Sequence, residues 1–502
     1  MMISILNRLT CIADNLPENQ PALTDGISSL SYKTLVERIE QVSRWLQKSG
    51  IQSLALYGDN SIDWVVTDLA CQQANVVCIP LPTFFSVKQI RRCLEAGGIR
   101  TVLNQPDSKF QRVDLPIQAQ ISLADIGIAS GFELLTLSAK KTAELPDKTR
   151  KVTFTSGSTG APKGVCLSTN QQWRVAESLA NTIGINQPRH LCLLPLSTLL
   201  ENIAGIYTPL LSGGTILLPG DAERGMSGSS SINVSALLQC IDKTSPTTMI
   251  LIPQLLTALT AACQQGWQPP ASLQFVAVGG GRVSPESIRL ARQYGLPVFQ
   301  GYGLSECGSV VALNTADRNS NDAVGAALPH CSVTIENSEI VVSGASHLGY
   351  LGEPDSWYPD KVYTGDKGEF VNGLLHVNGR LKNLLITSFG RNVSPEWVES
   401  ELMSQPLLSH CMIVGDARPY LTALISAPAQ IADATIEAWV QHTNEKLPDY
   451  AKVACWIRVN GGQLQPYTTA NGRLKRQCVE NKFSALLDEC YEQAPLLSQQ
   501  NQ

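Results

Sequence analysis

The densest chemical signal in the chain is Thr155-Ser156-Gly157-Ser158-Thr159-Gly160-Ala161-Pro162-Lys163-Gly164, directly after an apolar run at Lys151 to Phe154. Small hydroxyl residues and glycines leave backbone N–H groups free to wrap an anion, and a lysine adds charge, so the segment offers phosphate-binding chemistry. It is not the Walker pattern: the lysine does not directly follow a glycine, and Val165 to Leu167 reads as a strand rather than a helix. A Ser/Gly-rich hairpin turn is the plain alternative. Three more segments combine glycine with an aromatic, a carboxylate or a cation: Gln300-Gly301-Tyr302-Gly303-Leu304-Ser305-Glu306, Tyr363-Thr364-Gly365-Asp366 and Gly379-Arg380-Leu381-Lys382-Asn383.

In this order and at this spacing the four segments resemble the adenylate-forming (AMP-binding) superfamily, which includes acyl- and aryl-CoA synthetases, luciferases and the adenylation domains of peptide synthetases. The Leu194 to Asn202, Pro80 to Pro82 and Val414 to Ile425 segments are most similar to long-chain fatty acyl-CoA synthetases. The resemblance implies that Thr155, Ser156, Gly157, Ser158, Thr159, Gly160 and Lys163 hold the phosphates of ATP. Gln300, Gly301, Tyr302, Gly303 and Ser305 would hold adenine, Ser305 standing where threonine is usual. Tyr302 offers a ring to stack, and Gly279-Gly280-Gly281 leaves backbone room for the base's other face or edge, though a plain loop is the other reading of Gly280 and Gly281. Glu306 offers a hard oxygen suited to Mg2+, which keeps most of its waters and bridges phosphates; a solvated loop carboxylate is its alternative. Asp366 would accept the ribose hydroxyls through charge-assisted bonds, and Arg380 would add a donor fork to the same sugar. Lys382 takes the hinge position, with an ordinary surface lysine as the alternative, and Gly390 lies in the loop that would line a thiol tunnel. Leu196, Thr198, Val278 and Gly303 are the expected acyl-pocket residues.

The activity implied is ATP-dependent activation of a carboxylic acid, a fatty acid by resemblance, to an acyl-adenylate, followed by thioester formation with coenzyme A. ATP, Mg2+ and coenzyme A, or a phosphopantetheine arm on an acyl carrier protein, are the implied cofactors and partners. Lactone formation from a hydroxy acid and a catalytically weak nucleotide-binding scaffold stay open. Two departures bear on this. Thr198 stands where relatives carry a histidine that gates the acyl pocket. Arg473, in Thr468-Thr469-Ala470-Asn471-Gly472-Arg473-Leu474-Lys475-Arg476, stands where they carry the lysine that bridges substrate carboxylate and α-phosphate. Arginine keeps the charge but is longer and planar, so Lys475, on the same face of an extended segment, is the reserve candidate beside Arg473. Catalysis is thus assigned to Arg473, Lys475, Glu306 and Lys163. No Phe-Asp pair lies near Leu194 to Asn202 to hold a substrate ammonium, which argues against an amino acid.

The elements that would position these residues follow from apolar periodicity. Leu35, Ile39, Val42 and Leu46 fall on one helical face, with Ser31 as N-cap and Gly50 as stop. Runs at Leu54 to Tyr57, Val76 to Ile79 and Thr101 to Leu103 alternate with helical stretches at Ser61 to Gln73 and Val87 to Ala96. The alternation resumes at Lys151 to Phe154, Leu191 to Leu194, Thr215 to Leu218, Thr247 to Ile252, Leu273 to Val278 and Val298 to Gln300. Strands alternating with helices predict an α/β fold of doubly wound, mostly parallel sheets. Short β runs between Gly325 and Gly379 predict a small β-barrel-like unit closing that domain. From about Leu381 a smaller α+β lid is expected, with a capped helix over Ser394 to Met403, strands at Met412 to Val414 and Leu421 to Ile425, and a helix near Thr435 to Asn444. The division predicted is 1–380 for the nucleotide domain and 381–502 for the lid. Gly220 to Ser231 reads as a mobile surface loop.

At 502 residues, with 43% hydrophobic and 16% charged, the chain can bury a large core. A formal charge of −5 without blocks of like charge argues against a nucleic-acid partner. Fourteen cysteines stand singly, which predicts reduced thiols, and neither a signal peptide nor a bilayer-length apolar run is evident, so a cytoplasmic location is expected. Asn233-Val234-Ser235 and Asn392-Val393-Ser394 match glycosylation acceptors that such a location would leave unused.

Overall fold

Two large sheets and three structural layers between and outside them carry most of the chain. The computed structural model describes residues 4–493 except 107, 109, 111–112, 114–116, 127–129, 139–142, 157–161, 228–230, 389–390, 406 and 470–472. In the first sheet Ser53–Tyr57, Val77–Pro80, Thr101–Asn104 and Lys151–Ser156 run parallel, with antiparallel strands on both flanks. In the second, Pro21–Thr24, Thr215–Leu217, Arg189–Leu191, Thr248–Leu251, Phe275–Val278 and Val298–Tyr302 are parallel neighbours. These strands are near-continuous Val/Ile/Leu runs because both of their faces are covered, as parallel sheets require. Val77–Pro80 and Thr248–Leu251 are buried at every position.

The layer between the sheets holds the helices Tyr32–Lys48, Ile62–Ala74 and Thr169–Ile183. Tyr32–Lys48 starts where expected, with the Ser31 hydroxyl accepting from Thr34 N, and buries Leu35, Ile39, Val42 and Leu46. The same layer contains a feature that apolar periodicity did not suggest: a π-helix, Glu201–Tyr207, running into the α-helical turn Thr208–Leu211. Its wide turn packs Tyr207 against Trp173, ring centroids 4.9 Å apart. It also brings Asn202 and the Tyr207 hydroxyl to a buried ion pair, in which Lys151 Nζ lies 2.8 Å from Asp68 Oδ1. Asp68 Oδ2 accepts from Tyr207 at 2.5 Å and from Asn202 at 3.0 Å, so a charge pair with both side chains only 1% exposed is surrounded by hydrogen bonds. This knot joins the first sheet, through Lys151, to the helical wall over the second.

Residues 332–380 form a four-stranded antiparallel sheet, Ser332–Glu336, Glu339–Ser343, Lys361–Val371 and Leu374–Arg380, whose outer strands do not pair with one another. After it, a three-stranded sheet of His410–Val414, Leu421–Ser426 and Val453–Arg458 packs with the helices Pro395–Leu402, Asp433–Lys446 and Arg476–Gln493 around two cores of its own. Ser394 stands at the N-cap of Pro395–Leu402 but does not cap it; its hydroxyl donates to Glu396 at 3.1 Å.

Two expectations fail. Gly220 to Ser231 is not a mobile loop where it is described: Arg224 is fully buried, donating to Leu193 O at 2.9 Å and to the carboxylates of Asp59 and Asp221, and Met226–Ser227 pairs with Ser231–Ile232. A buried guanidinium with carboxylate partners anchors what composition alone reads as flexible. The thiols are not all reduced either, since Cys455 on the last strand is bonded to Cys490 on the last helix, while twelve other cysteines are free. The two are 35 residues apart, a separation that no sequence motif marks. Among the described residues no helix is long and apolar enough to cross a membrane.

Candidate active site

The parallel strands Phe275–Val278 and Val298–Tyr302 end side by side, and the chain continues from them as Gly279-Gly280-Gly281 and Gly303-Leu304. Gly303 has to be glycine because a Cβ there would fall 1.6 Å from Ser309 O. Facing these ends, the long strand Lys361–Val371 pairs Asp366 with Arg380 of its neighbour. The Asp366 carboxylate accepts from the Tyr302 hydroxyl at 2.6 Å and lies 2.7 Å from Arg380 Nε. It is 5% exposed, and burial raises its pKa against the opposing pull of Arg380, Tyr302 and Arg473. Burial and the Asp366 charge likewise raise the Tyr302 phenol. Gln300, Gly301 and Ser305 border the same cavity, which has a volume of about 1830 Å3.

Thr155 and Lys163 border this cavity from the hairpin of Lys151–Ser156 and Pro162–Leu167. Gly157, Ser158, Thr159 and Gly160 lie outside the described residues, as does Gly390, and of Ser156 only the backbone is described. Lys163 Nζ stands 4.1 Å from the Tyr350 ring centroid and 3.2 Å from Glu353. The Tyr350 hydroxyl donates to Glu306 Oε1 at 3.1 Å, so one tyrosine holds an ammonium on its face and a carboxylate at its tip. Burial and Glu306 raise the Tyr350 phenol, which keeps it a donor. Tyr350 escaped the sequence reading because nothing marks it until an edge strand pairs it with Val165. Glu306 fits a magnesium ligand: it is half-buried at the cavity wall, Tyr350 fixes one oxygen, and Oε2 has no hydrogen-bond partner among the described residues.

The lid closes the cleft from the far side. Thr469 N donates to Arg473 O at 2.6 Å, Arg473 N to Thr469 Oγ1 at 3.0 Å, and Lys475 N to Tyr467 O at 2.8 Å, so the segment is a hairpin rather than a free tail. Arg476 anchors its end on Glu399, whose Oε1 also accepts from Ile413 N at 2.8 Å. From this support Arg473 crosses the cleft and donates to Gly280 O. Desolvation in the cleft, then the positive charge of Arg380, lower the Arg473 pKa, with Asp366 and Glu396 opposing. Lys475 borders the cavity half-buried, with no ion pair among the described residues, and Lys382 is exposed beside the cleft in the 3-10 turn Leu381–Asn383. Arg473 and Asp366 thus meet although more than one hundred residues separate them, and Glu396 and Arg282, which the sequence did not single out, line the same gap.

Below the glycines the cavity continues between the second sheet and the π-helix. Thr198 borders it, its hydroxyl spent on Pro195 O at 2.7 Å. Two expected acyl-pocket residues are corrected. Leu196 is 1% exposed and packs in the core between the sheets, outside the cavity wall. Val278 borders the cavity but is fully buried, its side chain in the core on the sheet's opposite face. Side chains alternate across a strand, so the channel face belongs to Ala277 and Gly279 instead. Gly303 borders the channel mouth.

Residues 12–351 match the model of the AMP-binding enzyme family, and residues 382–495 that of the AMP-binding enzyme C-terminal domain. Among curated proteins, a feruloyl-CoA synthase of an Amycolatopsis species is 26% identical over 431 residues, covering 79% of this chain and 83% of its own. A long-chain-fatty-acid–CoA ligase of Mycobacterium bovis is 24% identical over 512 residues, covering 84% and 81%. Among solved structures, an anthranilate CoA ligase in complex with anthranoyl-AMP superposes with a TM-score of 0.78 at 18% identity, over 97% of this chain and 99% of that one.

Proposed function

The chain belongs to the AMP-binding enzyme family, and from that premise we propose that it joins an aliphatic carboxylic acid to ATP as an acyl-adenylate and passes the acyl group to the thiol of coenzyme A. The observation that carries this reading is Arg473, held by the lid hairpin and donating to Gly280 O beside Asp366 and Arg380. A cation delivered to the point where strand ends, ribose carboxylate and acyl channel converge suits the neutralisation of charge in adenylation. The acid needs no base, because its carboxylate is ionised at neutral pH. One carboxylate oxygen attacks the α-phosphorus in line, and the bond to the pyrophosphate oxygen breaks. In this reading Asp366 and Arg380 fix the ribose, Tyr302 offers its ring to adenine, and Thr155 and Lys163 hold the phosphate chain. Glu306 would hold Mg2+, whose charge would offset that of the phosphate chain. Arg473 orients the attacking carboxylate and the α-phosphate until the new bond forms.

In the second half-reaction the thiol sulfur attacks the acyl carbonyl, its proton passes to solvent, and AMP leaves. The lid is then expected to turn about Lys382 and bring the loop containing Gly390 to the acyl carbon. Preference for an aliphatic acid rests on the depth of the channel and on its apolar walls at Leu200, Ala204, Ile250 and Ala277. A cytoplasmic setting, with no nucleic-acid partner, belongs to the same reading.

Pyrophosphate exchange and hydroxylamine trapping across fatty, hydroxy, aryl and amino acids test the first step. The expected outcome is exchange with fatty acids and none with α-amino acids; an aromatic acid as the best substrate would overturn the acyl assignment. Product masses with coenzyme A, with a phosphopantetheine carrier protein and with neither test the acceptor, a lactone being the sign of a hydroxy-acid product with neither. ATP binding without exchange for any acid would instead favour a nucleotide-binding scaffold.

A further inference from the structure

The acyl channel is built as a ruled passage, and one row of it is polar. Its floor is the inner face of the second sheet, where Ile252 and Gly279, then Ile250 and Ala277, then His190, Thr248 and Phe275 succeed one another downward. Its roof is one helical stripe, Leu200, Ala204 and Thr208, at intervals of four residues. Beyond the polar row it continues past Leu179, Ile183, Ile185 and Ser212, so His190 and Thr248 stand partway along an apolar passage rather than at its end.

The two residues form one hydrogen-bonded relay with Glu201. His190 Nε2 lies 3.0 Å from Glu201 Oε1, and the other Glu201 oxygen accepts from Leu194 N at 3.2 Å. With the ring singly protonated, the proton sits on Nε2 toward the Glu201 carboxylate and Nδ1 is left as the acceptor. Thr248 Oγ1, 2.9 Å from Nδ1, donates its proton to the ring in that tautomer. That leaves the oxygen lone pairs of Thr248, at the channel wall, for a donor from the occupant. The Thr208 hydroxyl in the roof donates to Ile203 O at 3.1 Å, so its oxygen also keeps lone pairs to accept with. The arrangement requires Gly205, where a Cβ would fall 2.5 Å from Glu201 Oε1 and 2.8 Å from His190 Nε2. A floor that needed only to be apolar would carry valine at 248, with no buried imidazole and carboxylate behind it.

We infer that Thr248, oriented by His190 and Glu201, is a specificity-determining residue that accepts a hydrogen bond from a hydroxyl group carried mid-chain by the aliphatic acid. The inference rests on the aliphatic reading of the channel given above. Four strand residues separate Gly279 from Phe275, a drop of about 13 Å at about 3.3 Å per residue. An extended alkyl chain with carbon–carbon bonds of about 1.5 Å advances about 1.3 Å per carbon, which places the hydroxyl about ten carbons from the reacting carboxyl. A ketone at that position has no proton to give and is not selected.

The test compares kcat/KM for adenylate formation with unsubstituted acids from octanoic to octadecanoic, and with hexadecanoic acids hydroxylated near the carboxyl, mid-chain or at the terminus, or carrying a mid-chain ketone. The expected result is a preference of about three- to tenfold for the mid-chain hydroxyl over the unsubstituted acid, expressed in KM, the size of one neutral hydrogen bond. Thr248→Ser should keep that preference and Thr248→Val should bring the ratio to one. Both variants are judged by the ratio within each protein, so a general loss of activity does not mimic the effect. Equal use of all positions, a preference that survives Thr248→Val, or selection of the ketone would overturn the inference while leaving the fatty-acid reading intact. Turnover of aromatic acids with none of the aliphatic series would overturn that reading itself.

Discussion

Thr469, Arg476 and Glu399 fix the hairpin that carries Arg473, and Gly280 O receives its donor. A planar guanidinium can span two oxygens where an ammonium would sit between them. Arg473→Ala is expected to slow acyl-adenylate formation by about ten- to a hundredfold, the equivalent of one charged hydrogen bond of about 1.5–3 kcal/mol. It should spare thioester formation from a supplied acyl-adenylate, and single-turnover rates of both half-reactions read the difference. If only Lys475→Ala slows the first step, the role passes to Lys475. Asp366 gives a second residue-scale expectation. Its folded pKa lies above the ordinary value, so as pH falls the carboxyl takes up its proton early and loses its charged bond to Arg380 and, in the proposed reaction, those to ribose. The acid limb of kcat/KM for ATP should therefore lie above the normal aspartate range of about 3.9, and Asp366→Asn should lower activity and abolish that limb. A limb unchanged in the asparagine variant would assign it to another group.

At the scale of elements, the buried knot around Lys151 makes the sharpest stability claim. Lys151→Met leaves Asp68 as an unpaired buried charge and should cost about 3–5 kcal/mol, whereas adding Asp68→Leu removes the stranded charge and should recover most of it. Urea midpoints of the single and double variants check this; a double variant as weak as the single one would show that packing, not charge, holds the knot. The same elements show how far local sequence carries. The helix Tyr32–Lys48 was legible from Ser31 to Gly50 because its cap and its buried stripe are both local. The parallel strands were legible as apolar runs. The π-helix was not, since its wide turn satisfies Asp68, which lies more than a hundred residues away in sequence. The strand Ile117–Ser122 was hidden for the opposite reason: it is an edge strand, exposed along most of its length, and carries no apolar run. Asp366, Tyr302 and Arg473 were legible as residues with chemistry, but Leu196 and Val278 were misplaced because a motif gives a position along the chain and not the face to which it turns.

At the scale of the whole molecule, the proposed reaction has the two substrates enter one continuous space from different walls, with the lid to supply the cation where they meet. If the lid must turn between steps, fixing its pivot should separate them. Lys382→Pro pins φ near −65° at the turn Leu381–Asn383 and is expected to leave pyrophosphate exchange within about twofold while slowing thioester formation at least about tenfold. Equal loss of both rates would remove Lys382 from the pivot. The Lys151–Asp68 knot has a wider consequence. Each sheet has its own strands and outer helices, yet neither can swing away without drawing a lysine from its carboxylate or a tyrosine hydroxyl from both. Partial opening of one half is therefore as costly as losing the contact altogether, and the two halves behave as a single cooperative unit. Backbone amides of Val77–Pro80 and Thr248–Leu251, which belong to different sheets, should exchange with deuterium at a common slow rate governed by one global opening.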